Sequence, residues 1–133
     1  MGLDIEHHRA FSGCGNKVMT VLDTVSGKVI ATVPIGPGVD GNGYDPGTGF
    51  AFSSNGGDGT LTVARESSPG KFEVAETVAT EHGARTMVVD PKTHRIYLPT
   101  ARFGPPPAPT EDRPHPRPSI LPDSFVILVV GTK

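Results

Sequence analysis

The chain has no tryptophan, one cysteine and few aromatics, only 6% of its residues. With 35% hydrophobic residues in 133 and no large indole, the core must be spread thinly over many small contacts. The single Cys14 excludes an intramolecular disulfide and reads as a buried, inert thiol. No apolar run is long enough to cross a membrane as a helix. A dominant charge is missing too. Twelve Lys and Arg stand against fourteen Asp and Glu, for a net charge of −2, which argues against nucleic acid as a partner and leaves nucleic-acid binding the weakest of the functional readings. There is no Gly-x-Ser-x-Gly elbow around Ser12, Ser53 or Ser54. The Gly-rich run Asn55-Gly56-Gly57-Asp58-Gly59 joins two strand-like segments and precedes no helix, so it is not a phosphate loop.

What is abundant is punctuation. Seventeen glycines and fourteen prolines make up nearly a quarter of the chain. That excludes long helices and fits many short strands joined by turns. The clearest stretch is Thr86 to Leu98, an apolar run, a tight polar turn at Asp90-Pro91-Lys92-Thr93-His94, and a second apolar run. This is the pattern of two adjacent antiparallel strands. It occurs three times, opening at Asp4, Asp45 and Asp90, so the copies lie 41 and 45 residues apart.

Each copy extends into a unit of short strands. The first unit, residues 1–36, places strands at 3–5, 10–14, 18–22 and 28–35. The second, residues 37–80, places them at 42–44, 50–54, 60–64 and 72–78. The third, residues 81–133, has strands at 86–89, 95–100 and 125–130 and no fourth. Between the last two lies 102–123, which holds eight of the fourteen prolines and reads as a long, extended surface loop. Four-stranded units at a period of 40 to 50 residues are the signature of β-propeller blades. The expected fold is therefore all-β: a partial propeller of about three blades in a single domain. A blade buries its faces only against its neighbours. Three blades would leave two faces and one strand edge open, both association hazards. A homo-oligomer follows, with two chains giving a six-bladed ring and three giving nine, outside the usual range.

Residues 86–98 and 18–36, the latter Val-Met-Thr-Val-Leu-Asp-Thr-Val-Ser-Gly-Lys-Val-Ile-Ala-Thr-Val-Pro-Ile-Gly, resemble the YVTN repeat of YncE-like β-propellers. In that family the first strand ends in Asp-Pro, the third in Asp and the fourth in Pro-x-Gly. The resemblance covers nearly the whole chain outside the Pro-rich loop and implies a C-terminal fragment of such a propeller. It also implies closure by an N-terminal strand that completes the last blade. The family is often secreted or periplasmic, whereas Met1-Gly2-Leu3-Asp4 carries neither a basic n-region nor an apolar h-region. The expectation for this chain as expressed is cytoplasmic.

In a propeller the first strand of each unit lines the channel, and the unit-to-unit connections share one mouth with the connections between second and third strands. Aligning the units puts Asp40 against Arg85 at that mouth. Glu81 and His82 share the connection with Arg85, and Asn42 lies just inside the second unit. The Pro-rich loop brings Glu111, Asp112, Arg113 and His115 over the same face. The set points to a small ligand or anion held by Asp40, Asn42 and Arg85. His82 and His115 are the candidate ligands of a divalent ion such as Zn²⁺, though without close spacing. If the chain is an enzyme, Asp40, Arg85 and Glu81 are the catalytic candidates for metal-dependent hydrolysis of an ester, lactone or phosphoester. His7, His8 and His94 fall at the opposite face, where recurrence of His8 and His94 with the repeat favours a structural role. Asp4, Asp45 and Asp90 read as turn-capping carboxylates, and Phe11, Phe52 and Tyr97 as packing between units.

Overall fold

A computed structural model describes residues 1–131. It is all-β, with eleven strands in three antiparallel sheets. The first sheet is a meander of β1 (Gly2–Asp4), β2 (Arg9–Cys14), β3 (Val18–Asp23) and β4 (Val29–Pro34). The second repeats it with β5 (Val39–Asp45), β6 (Phe50–Asn55), β7 (Thr60–Ser68) and β8 (Lys71–Ala79). The third has β9 (Val88–Asp90), β10 (Arg95–Thr100) and β11 (Val126–Val130). All eleven strands anticipated from the repeat are present, and β7 runs four residues further than expected, to Ser68.

Local chemistry explains the turns. Asp4, Asp45 and Asp90 each accept a backbone N–H two or three residues on, from His7, Gly47 and Lys92. The capping role expected of them is the one they play. The turns then need a left-handed residue before the next strand. His8 (φ 55°), Gly49 (φ 71°) and His94 (φ 57°) fill that place.

The three sheets pack in chain order, with β1, β5 and β9 side by side at one edge. Between the first two sheets lie Phe11, Met19, Val21, Val33, Ala51 and Ala64. Between the second and third lie Phe52, Leu61, Val63, Ala84, Ile96 and Leu98. Each buried Val, Ile, Leu, Phe or Met contributes about 1.5–3 kcal/mol, so two thin layers carry the fold. Glycine lets the inner strands close up. A Cβ on Gly2 would sit 2.6 Å from the Gly43 carbonyl carbon, and one on Gly43 would sit 2.5 Å from a Val89 methyl.

Three expectations change. Phe11 and Phe52 are interior, but Tyr97 lies on the uncovered side of the third sheet, because no further sheet covers it. Cys14 is half-buried rather than buried. Residues 102–123 are more than an extended loop. Phe103 pairs with Ile120, Gly104 N–H donates to Ser119 O at 2.8 Å, and Leu121 N–H to Arg102 O at 2.9 Å. The loop is doubled back on itself.

Candidate functional site

The connections after β4, β6 and β8 meet the doubled loop at one end of the sheets. The Pro37–Gly38 step is tied to the β6–β7 turn by Gly56 N–H to Gly38 O (3.1 Å) and Gly57 N–H to Pro37 O (3.0 Å). The next connection is tied to the same turn by Gly83 N–H to Gly56 O (2.8 Å). Glycine is required here by contact. A Cβ on Gly38 would lie 2.6 Å from Gly57 N, and Gly38 also has φ 70°. A Cβ on Gly83 would lie 2.5 Å from the Phe103 ring. The loop is thereby seated on the 80–87 connection.

These contacts enclose an open cavity of about 500 Å³. His82, Arg85 and Arg117 line it, with Phe103, Pro118 and Ile120 as an apolar wall and Gly38, Gly56, Gly57 and Gly83 as a backbone floor. Two guanidiniums and an imidazole around a glycine floor form a cationic pocket with one greasy side. Guanidinium is suited to carboxylate and phosphate because it offers parallel N–H donors.

Arg85 is held from below. Its carbonyl accepts Gly41 N–H at 2.9 Å and the buried Ser54 hydroxyl. Ser54 is fully buried, sits on β6, and also accepts from Gly41 N–H at 3.2 Å. Thr100 Oγ1 donates to His82 O at 3.2 Å and fixes the other end of the connection. The backbone under Arg85 and His82 is thus fixed by hydrogen bonds while their side chains face solvent.

The other anticipated residues are distributed as follows. Asp40 is exposed and accepts from Thr86 Oγ1 at 3.4 Å, beside the connection that carries Arg85. Asn42 is engaged inside the fold. Its Oδ1 accepts Gly13 N–H at 2.7 Å from the first sheet, and its Nδ2 donates to Phe52 O at 3.3 Å. Glu81 lines an adjoining hollow with His82 and Arg102. His115 lines a separate hollow in the Pro-rich loop with Arg113 and Arg117. Arg117 had no signal of its own, being one cation among prolines, and only the folding of the loop brings it to Arg85. Among the described residues no three His, Cys, Asp or Glu side chains are grouped to hold a metal ion.

A second polar cluster bridges the first two sheets at the opposite end. Arg9 pairs with Glu66 and lies 5.1 Å over the Phe72 ring. Beside it, His7 Nδ1 lies 2.8 Å from Asp4 Oδ2, and Tyr44 stacks on Phe11 at 5.3 Å. The Arg9 guanidinium holds Glu66 below the usual carboxylate range. Burial and the neighbouring Asp4 carboxylate push Tyr44 up to about 12. Every charge in this cluster has a partner, so it reads as structural.

No protein-family model matches the chain. No curated protein matches it either.

Proposed function

We propose that this chain is a three-blade part of a YncE-like β-propeller that binds a small organic anion in the cavity of His82, Arg85 and Arg117. The convergence of two arginines from distant parts of the sequence on one glycine-floored cavity carries the reading. The apolar wall of Phe103, Pro118 and Ile120 favours an anion with an apolar body over a bare ion. The propeller part is supported by the repeated antiparallel meanders with their first strands side by side. Completion of the ring by a second copy, giving six blades, belongs to the same proposal.

Metal-dependent hydrolysis is the other reading of the same end of the molecule. It would need His82 and His115 on one ion, and they line different hollows. The anion reading uses residues that do share a cavity.

The test is a titration followed by backbone amide resonances, with benzoate as probe and benzyl alcohol as its neutral counterpart. Benzoate shifts the Gly56, Gly57 and Arg85 amides to saturation, and benzyl alcohol does not. Arg85→Ala weakens binding about ten-fold or more, the scale of one hydrogen bond to a charged group. Equal shifts with both compounds, or none, would overturn the proposal.

A further inference from the structure

The sheets meet by a rule that can be read along the register. In the first contact, Gly2, Phe11, Val21 and Ala31 form one cross-strand row. It packs on the row Tyr44, Ala51, Ala64 and Val74 of the second sheet. In the second contact the row of Gly43, Phe52, Val63 and Glu76 meets Val89, Ile96 and Val130 of the third sheet. By repeat position, Phe11, Phe52 and Tyr97 are equivalent, and so are Leu3, Tyr44 and Val89.

Among the described residues, two rows have no counterpart. On the third sheet, Val88, Tyr97 and Val129 form the row equivalent to that of Phe11 and Phe52. Val88 is 61% and Val129 55% exposed. On the first sheet, Leu3, Ala10, Leu22 and Val29 form the row equivalent to that of Tyr44 and Val89. Leu3 is 53% and Val29 56% exposed.

A polar pair marks the same contact. Asp45 accepts Gly47 N–H at 3.0 Å and the Thr48 hydroxyl at 2.9 Å within its own turn. It also takes His94 Nδ1 at 2.8 Å from the next sheet. Asp90 repeats the first two bonds, with Lys92 N–H at 3.0 Å and the Thr93 hydroxyl at 2.6 Å. No histidine among the described residues completes it. His8 occupies the His94 place in the first sheet, with the same left-handed backbone, and is exposed with no side-chain partner among the described residues. At the first contact that place is Gly49, and Tyr44 faces Asp4 instead.

We propose that the third sheet of one copy docks on the first sheet of a second copy in the same head-to-tail manner. The row of Val88, Tyr97 and Val129 covers Leu3, Ala10, Leu22 and Val29 of the second copy, whose His8 donates to Asp90. The occupant is a second copy because the two open rows match each other in chemistry and repeat position, and the missing histidine is on the other row. Two details differ from the internal contacts. Lys92 stands where Gly47 makes room for His94, a Cβ at Gly47 running into His94 Cε1, so His8 reaches Asp90 only with a shift of that turn. Val88 stands where Gly2 and Gly43 allow close approach, so the inner strands sit further apart at this junction. The contact is heterologous and closes when used twice around a two-fold axis. This inference rests on the assembly reading above and specifies its interface.

The test uses full chains in a Cys14→Ser background. One carries Leu3→Cys and the other Tyr97→Cys, and the two are co-expressed and oxidised. A covalent dimer forms in the mixture and in neither variant alone, since the contact joins unlike faces. Crosslinking of Leu3→Cys with itself would overturn the inference in favour of a back-to-back contact. A dimer by light scattering that never crosslinks would overturn this interface and leave assembly standing. A monomer at all concentrations would remove both. His8→Asn and Asp90→Asn, both compatible with their turns, each weaken the dimer roughly ten-fold, and the double variant is no weaker than either. Unchanged or additive dissociation constants would remove the His8–Asp90 pair.

Discussion

Arg9 leaves the first sheet to pair with Glu66 of the second, passing over the face of Phe72. The pair joins two sheets that also meet through an apolar layer, the Phe11–Tyr44 stack and the Gly13–Asn42 hydrogen bond. Its energy is modest because both partners keep some solvent.

Acid should loosen this end of the molecule. The Arg9 guanidinium lowers the Glu66 pKa in the fold. Burial tends to raise Asp4, but the backbone and side-chain hydrogen bonds of His7 outweigh it and Asp4 ends lowered. A carboxyl group lowered in the folded state stabilises the fold fully above its unfolded pKa, near 4, and loses that contribution as pH falls through the folded value. Urea denaturation should therefore show stability steady from pH 7 to about 5 and falling below about 4. Glu66→Gln should lower stability by about 1 kcal/mol or less at pH 7 and flatten the acid limb. An acid limb unchanged in the Glu66→Gln, Asp4→Asn double variant would show that other groups control it.

Base should act through Tyr44. Burial and Asp4 raise its pKa to about 12. A tyrosine raised in the fold stabilises it fully below the unfolded value, near 10, and loses that contribution as pH climbs toward 12. Only two tyrosines are present, so Tyr97→Phe isolates the signal. Ultraviolet difference absorbance should give a midpoint near 12. Asp4→Asn should bring it down, because the adjacent negative charge is gone. A midpoint near 10 in the folded Tyr97→Phe protein would refute the half-buried placement of Tyr44 beside Asp4.

Two left-handed glycines separate conformation from contact. Gly38 (φ 70°) and Gly49 (φ 71°) share nearly the same backbone. Nothing lies within 4 Å of a Cβ at Gly49, whereas one at Gly38 meets Gly57 N at 2.6 Å. Gly49→Ala should cost about 1–2 kcal/mol, the left-handed penalty alone. Gly38→Ala should cost more and also weaken benzoate binding, since the Gly38–Gly57 contact forms the cavity floor. Equal melting temperatures for the two variants would contradict the contact.

Local patterning made the strands and turns legible in the sequence. Alternating apolar residues with Asp at a fixed place set all three copies, because both signals act over a few residues. The Arg9–Glu66 pair was not legible, since its partners are 57 residues apart and neither has a motif. Asn42 looked like a ligand group from its place near the mouth, yet its amide is taken up by Gly13 N–H across the sheet contact and by Phe52 O of its own sheet. The site was half legible. Aligning the units brought out Arg85 and its connection, but Arg117 reaches the cavity only because Phe103 pairs with Ile120, a contact invisible in a proline-rich run.

Ser54 gives the sharpest link between fold and site. Reading the sequence for nucleophiles sets this serine aside, and the structure gives it another task. Its hydroxyl bonds the carbonyl of Arg85 and accepts from Gly41 N–H, joining β6, β5 and the 80–87 connection at one buried atom. Ser54→Ala removes the donor and leaves the Arg85 carbonyl with Gly41 N–H alone. Losing one of the carbonyl's two hydrogen bonds costs about 0.5–1.5 kcal/mol. Because Arg85 itself is untouched, benzoate affinity should fall less than in Arg85→Ala, by a few-fold, as the guanidinium is placed less firmly. Ser54→Thr keeps the hydroxyl and adds a methyl in a site with no spare volume, since Ser54 is fully buried. It should retain binding where it folds. A Ser54→Ala protein with wild-type stability and wild-type benzoate affinity would show that Arg85 is positioned by its neighbours in the connection instead.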